Sequence, residues 1–316
     1  MTSIRFKVLF TVLVLSLGLW FILSQNLFSE LLAVWRQLPW WIVPVAIAIE
    51  LIATLLNSFK WRLFLPEQRL LNLFKVNLVS QYYALTLSGQ MVSEAAKTLY
   101  LGRRNPLDWS RIASSVVVDK INGFLGGVIV VGLVGLSFSD FDFSGHIRLI
   151  LISFFLLGGL VFILFYISAS YIRPRENFLL QYSMPSYLRR VAKILEDLVH
   201  KGKEHIKAPS RFVLAIACAI GYQMLTVVLI MIISQYIGFE LAIFDWAWII
   251  SLLSLALVLP LTIAGLGVRE GTLVGLLGLF GVSPVAALGL SLSLFSLQVF
   301  LATMGGLIQL RDIYKH

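Results

Sequence analysis

Apolar runs long enough to cross a membrane recur along the chain from Val8 to Leu310, with short polar interruptions between them. A crossing helix needs about 20 mainly apolar residues. On that measure the pattern predicts helical spans over 8–23, 41–56, 112–136, 149–172, 212–237 and 284–310. Two further apolar stretches are interrupted. Residues 76–92 carry Gln81, Ser88, Gly89 and Gln90, and basic residues flank them on both sides, which predicts a re-entrant hairpin that enters and leaves by one face. Residues 249–261 lead into a glycine-rich break, after which 272–280 continue as a short apolar helix. Counting 249–261 and the helix beyond the break as two further crossings gives about eight spans. The expected fold is all-α, a polytopic helical membrane protein with re-entrant or broken helices and an internal pseudo-repeat. It forms a single transmembrane domain over residues 1–316.

The break is the most unusual stretch. It sets the adjacent Arg269 and Glu270 beside Pro260, Gly265, Gly267 and Gly271, between apolar runs. A charge at membrane depth is retained where it faces a polar interior or a water-filled cavity. Glycines there break a helix or admit close backbone approach. The earlier interrupted stretch is a second copy. Residues 85–94 align without gaps with 261–270, and Leu, Thr, Gly, Val and Glu are identical at five of the ten places. Paired broken segments in corresponding halves of an apolar chain point to a transporter-like binding site. The two breaks are expected to meet at one site, with Glu94 near Arg269.

Charge then orients the chain. Lys60, Arg62, Arg69 and Lys75 after the second span, and Lys97, Arg103, Arg104 and Arg111 after the first broken segment, predict cytoplasmic connections. Asp140 and Asp142 fit an outer loop. Glu240 and Asp245 mark an outer turn, with Trp246 and Trp248 expected at the interface. Residues 173–211 hold nine Lys/Arg against four Asp/Glu and are expected to form a basic cytoplasmic loop with an amphipathic helix on the inner membrane surface. Both termini are expected in the cytoplasm, in the inner membrane of a bacterial or archaeal cell.

The chain is 59% hydrophobic and 13% charged, so its net charge of +9 reads as topology and contact with anionic lipid, not as a nucleic-acid footprint. Cys218 is the single cysteine, and the four histidines lack metal-ligand spacing, so no metal or cofactor is expected. The candidate substrate-binding residues are the charged groups in or beside apolar segments: Glu50, Glu94, Lys97, Asp119, Lys120, Arg269 and Glu270. Gly89, Pro260, Gly265, Gly267 and Gly271 shape the breaks. Glu94 and Lys97, three apart, share a helical face, whereas the adjacent Arg269 and Glu270 are expected to pair with groups elsewhere. Cations lining a polar cavity would hold an anionic head group, and the Arg fork suits a phosphate. No catalytic template is present: there is no HExxH, no G-x-S-x-G and no P-loop.

The stretch Pro260-x-x-x-Ala264-Gly265-Leu266-Gly267-Val268-Arg269-Glu270-Gly271, with Gly281-Val282-Ser283 and Gly305-Gly306 after it, resembles the lysylphosphatidylglycerol synthase transmembrane-region family of flippase-like membrane proteins. Gly89 to Lys97, Ala113-Ser114-Ser115-Val116 and Asp119-Lys120 resemble that family's other signature. Ser93 stands where a glycine is common, Lys97 replaces Arg, and Asp119-Lys120 replaces Glu-Arg. The resemblance implies a membrane-embedded lipid translocator acting on membrane lipids with an anionic head group, without the soluble aminoacyl-transferase domain of bifunctional relatives. Two alternatives stand beside it: a membrane-embedded lipid-linked glycosyltransferase or other lipid-modifying enzyme, and a non-transporting envelope-assembly factor.

Overall fold

The computed structural model describes residues 27–86, 90–102, 109–143, 146–171, 209–258 and 265–313. Among them every regular element is helical. They are α1 (Leu27–Gln37), α2 (Ile42–Arg62), α3 (Leu70–Thr86), α4 (Gln90–Gly102), α5 (Trp109–Asn122), a π-helical turn (Gly123–Val130) running into α6 (Val131–Phe138), α7 (Ile147–Tyr171), α8 (Pro209–Ile237), α9 (Ile243–Val258), α10 (Val268–Gly278) and α11 (Pro284–Ile313). The first expected span and the basic loop with its amphipathic helix lie outside the described residues, as do Gly89 and Pro260.

Four described helices are long and apolar enough to cross a membrane: Ile42–Arg62, Trp109–Phe138, Ser210–Ile237 and Pro284–Asp312. The count of eight is not reached among the described residues, and the shorter helices explain why. At about 1.5 Å per residue, α4 and α10 are roughly 20 and 17 Å long, well short of a hydrocarbon core of about 30 Å. Each packs back against the helix before it, α4 on α3 and α10 on α9. Both interrupted stretches are therefore pairs of helices folded on each other.

The offset of the ten-residue match recurs in the order of the helices. Leu85 and Leu261 are 176 positions apart. At that same offset α2 falls on α8, α3 on α9, α4 on α10, and Trp109–Phe138 on α11, each to within a few residues except at the N-terminus of α8, which is longer. Packing follows the correspondence. α3 lies along α11 in one direction, and its counterpart α9 lies along α6 and the π-helical turn in the other. Both interfaces are drawn together by glycine. A Cβ on Gly305 would lie 2.0 Å from the Leu78 carbonyl oxygen, and one on Gly135 would lie 2.6 Å from the Trp248 amide nitrogen. Small residues are what allow membrane helices this approach.

Cross-contacts fix which helix ends meet. Trp41 at the start of α2 stacks edge-on against Tyr236 at the end of α8, with ring centroids 5.3 Å apart. The hydroxyl of Tyr100, near the end of α4, donates to the Asp312 carboxylate at the end of α11. Phe141, in the loop after α6, meets Phe280 just past α10 at 4.5 Å.

Trp246 and Trp248, expected at the membrane interface, are packed inside the protein: they are 0% and 1% exposed, in a core with Leu229, Ile230, Leu273 and Leu290. Asp245 belongs to the same interior, accepting a hydrogen bond from the Ser139 hydroxyl. The second span also runs six residues further than expected, to Arg62. That brings Lys60 into the helix, where it is 4% exposed, and out of the surface connection to which its charge had assigned it.

Candidate functional site

A cavity of about 410 Å³ opens between the two halves, with walls from α2, α3, α4, α5, the π-helical turn, α8, α9, α10 and α11. Its charged lining is Lys60, Lys97, Lys120 and Arg269 against Glu50, Glu94 and Asp119, four cations to three carboxylates. Six of the seven candidate charged residues thus share one chamber. The seventh, Glu270, stands behind Arg269.

α2 builds one wall. Glu50, Thr54, Asn57 and Lys60 recur at helical spacing and form a single polar stripe along it. Lys60 ends the stripe by pairing with Asp119, Nζ to Oδ1 at 3.4 Å, and by donating to the Asp119 backbone carbonyl at 3.3 Å. The two side chains are 6% and 7% exposed. The backbone is shaped to admit the ammonium group: a Cβ on Gly123, where the π-helical turn begins, would lie 3.1 Å from Lys60 Nζ. π-Helical turns are often found at functional sites, where they re-aim side chains.

Glu94 bridges two cations, Lys97 at 3.0 Å and Lys120 at 3.4 Å. The first is the same-face pair that their three-residue spacing predicts. Lys97 also lies 5.6 Å above the ring of Trp61, whose Nε1–H donates to Ser115 Oγ at 3.0 Å. Asn77 donates to Ser58 Oγ, and Ser58 to the Thr54 carbonyl, each at 2.7 Å, tying α3 to α2 behind the stripe.

On the opposite side, α10 is N-capped by Gly267, whose φ of +85° follows the +75° of Gly265. L-residues adopt that conformation only at a cost of about 1–2 kcal/mol, which accounts for both glycines. Gly271 differs: a Cβ there would meet nothing within 4 Å. Glu270 turns back to accept the Gly267 N–H at 2.5 Å and the Ser291 hydroxyl at 3.1 Å. That turn brings its carboxylate to 3.5 Å from Arg269 Nε. The expectation that these neighbours pair elsewhere is therefore corrected. Adjacent side chains diverge in mid-helix, but in a first turn the carboxylate folds back to cap the free amides and so crosses its neighbour's path. Arg269 is 5% exposed; it donates through Nη1 to Gln298 Oε1 at 2.9 Å and lies 5.0 Å over the Phe295 ring. Its buried Nη2 has no acceptor among the described residues. Glu94 and Arg269 line the same cavity yet hold different partners.

Sequence reading missed Lys60, Asn57, Asn77, Tyr222 and Gln298 as lining residues. The signal for the first two was present, because the 50, 54, 57, 60 spacing continues past the point where the apolar run thins. Tyr222 and Gln298 lie singly in apolar helices and carry no such pattern.

Fold and cavity together define a multi-pass helical membrane protein with a mixed-charge chamber enclosed by its helices. Residues 8–306 match the family model described as the lysylphosphatidylglycerol synthase TM region, and the chain belongs to that family. No match was found among curated proteins or solved structures.

Proposed function

We propose that this protein binds the anionic head group of a membrane lipid in the chamber and passes it between leaflets, as a flippase-like component of the cytoplasmic membrane. The observation that carries this reading is the buried Arg269 guanidinium, which faces the chamber with an Nη2 that no described residue accepts. A buried charged donor without a partner costs more than an ordinary hydrogen bond, and a phosphate oxygen supplies what it lacks. Lys97 and Lys120 would complete the anion site, and the cavity volume suits a head group. Acyl chains would remain outside, along apolar faces such as Leu149, Phe154 and Leu157, all more than half exposed.

The repeat supports a route. α7 adds one crossing between the halves, so the second half runs inverted with respect to the first. The α3/α4 pair then enters from the cytoplasm and the α9/α10 pair from outside, the arrangement from which alternating-access transporters are built. This orientation places residues 173–211 in the cytoplasm. In a Cys218→Ala background, Lys201→Cys should resist a membrane-impermeant thiol reagent in intact cells and react after lysis. Rapid labelling in intact cells would reverse the topology.

The activity itself is tested in liposomes of phosphatidylethanolamine with a trace of phosphatidylglycerol labelled on an acyl chain, using a quencher confined to the outside. Wild-type protein should expose the inner-leaflet label. Lys97→Met/Lys120→Met should slow exposure at least about tenfold, since charge-assisted hydrogen bonds contribute roughly 1.5–3 kcal/mol each. Equal rates with and without protein would remove the flippase reading. Conversion of the labelled lipid to a new species would point to a lipid-modifying enzyme.

A further inference from the structure

The cavity carboxylates are not alike. Asp119 pairs with Lys60 and Glu94 with Lys97 and Lys120, while Glu270 behind the wall pairs with Arg269. Glu50 lines the same chamber near the middle of a 21-residue membrane helix, and none of the described cations pairs with it. Along α2 it stands ten residues from Lys60, about 15 Å at helical rise. Neutral polar groups share the chamber with it: Thr54 and Asn57 follow it on the same face of its own helix, Gln81 comes from α3, and Tyr222, Gln223 and Thr226 come from α8. The titratable and charged groups that reach the chamber from the other elements are Tyr222 on α8, Asp119 and Lys120 on α5, Glu94 and Lys97 on α4, and Arg269 on α10. α3 and α11 bring none there.

A lone carboxylate at membrane depth is too costly to keep charged without a counter-ion, and a proton is the smallest way to neutralise it. An anion arriving at the lysines and Arg269 adds negative charge to the same low-dielectric chamber and strengthens that demand. Proton and anion then favour each other's binding, by the same factor in each direction. We propose that Glu50 is a proton-binding site coupled to anion binding in the cavity, so that the lipid head group is taken up together with a proton. This rests on reading the chamber as an anion site, and it assigns Glu50 a role separate from holding the head group.

The sign follows from the coupling. Protonation of Glu50 removes a repulsive charge, so affinity for the anion rises as pH falls. Taking the rise of about 15 Å from Glu50 to the Lys60 end of the chamber as the scale of separation, an effective dielectric near 20 gives a Coulomb interaction that corresponds to about a sixfold change in affinity between the two protonation states. The experiment is calorimetric titration of purified full-length protein in detergent with short-chain dioctanoyl phosphatidylglycerol, from about pH 5 to about pH 9, a range in which the phosphodiester keeps its charge. It is run in sodium and in choline buffers, and in buffers of differing ionisation heat to count protons taken up.

Wild-type protein should bind several-fold more tightly at the acid end, with proton uptake on binding and no dependence on sodium. Glu50→Gln, which mimics the protonated acid, should hold the acid-end affinity at every pH and take up no proton. Wild-type binding without proton uptake overturns the proposal even if the variant fails to fold, and so does uptake that persists in Glu50→Gln. Affinity that follows sodium and not protons overturns it as well. If wild-type protein binds no phosphatidylglycerol at any pH, the anion-site reading falls and this proposal with it. Binding that is merely pH-independent leaves that reading standing.

Discussion

Asp119→Asn should lower the stability of the purified protein by about 3–5 kcal/mol, the usual cost of removing one member of a buried ion pair. The size follows from what is left behind. Lys60 is buried in the end of α2 and finds its two contacts, the Oδ1 atom and the backbone carbonyl, on Asp119. With an amide in place of the carboxylate, its ammonium keeps a backbone acceptor but loses its counter-charge. Lys97 and Glu94 lie close enough to feel the change, so the damage should spread to the rest of the cluster. Replacing both partners, Lys60→Met/Asp119→Leu, removes the stranded charge and should recover much of the loss, because apolar replacements of buried pairs are often neutral or stabilising. Thermal unfolding in detergent of Lys60→Met, Asp119→Leu and the double variant closes the cycle. Coupling of at least about 1 kcal/mol is expected, and strict additivity would show that the two residues are not energetically paired.

That pair also shows how far the sequence could be read. Spans 149–172, 212–237 and 284–310 were visible because an apolar run of membrane length leaves few alternatives, and the structure places helices Ile147–Tyr171, Pro209–Ile237 and Pro284–Ile313 there. Six of the seven charged candidates line one cavity because each was chosen by the same logic, that a charge among apolar neighbours faces something polar. Lys60 was misplaced by the rule that made the topology legible. Counting basic residues after a span treats them as surface groups; the 50, 54, 57, 60 spacing kept Lys60 on the polar stripe of α2, but its partner, 59 positions away, left no local sign. Arg269 and Glu270 were separated by mid-helix geometry, when their place at an N-terminus was the deciding fact. The match between 85–94 and 261–270 is legible because the two breaks share their glycine, Val and Glu. Elsewhere the halves share length and order but little chemistry: Lys60 corresponds to Tyr236, Asp119 to Phe295 and Lys97 to Leu273. Helix lengths survive such divergence because membrane thickness sets them, while the charges gather in one half.

The second large effect is expected at a residue with no charge at all. Gly305→Ala should destabilise the protein by about 3 kcal/mol or more, at or above the upper end of ordinary overpacking. The added methyl carbon would sit 2.0 Å from the Leu78 carbonyl oxygen and 2.6 Å from its carbon. These are backbone atoms of α3, which cannot rotate aside as a side chain could. α3 and α11 would have to separate, and with them would go the contacts that hold the α3/α4 pair against the cavity. Gly275→Ala is the matched control. It lies within α10, has nothing within 4 Å of its would-be Cβ, and should gain up to about 1 kcal/mol from helix propensity. Thermal unfolding of the two variants in the same detergent should move in opposite directions. On the proposed function, Gly305→Ala should also weaken lipid binding at temperatures where it remains folded, because the displaced α3 carries Asn77, Ser80 and Gln81 of the cavity wall. A Gly305→Ala protein as stable as wild type would mean that α3 and α11 do not approach as closely as the geometry requires, and the pairing of the first broken segment with the last span would have to be redrawn.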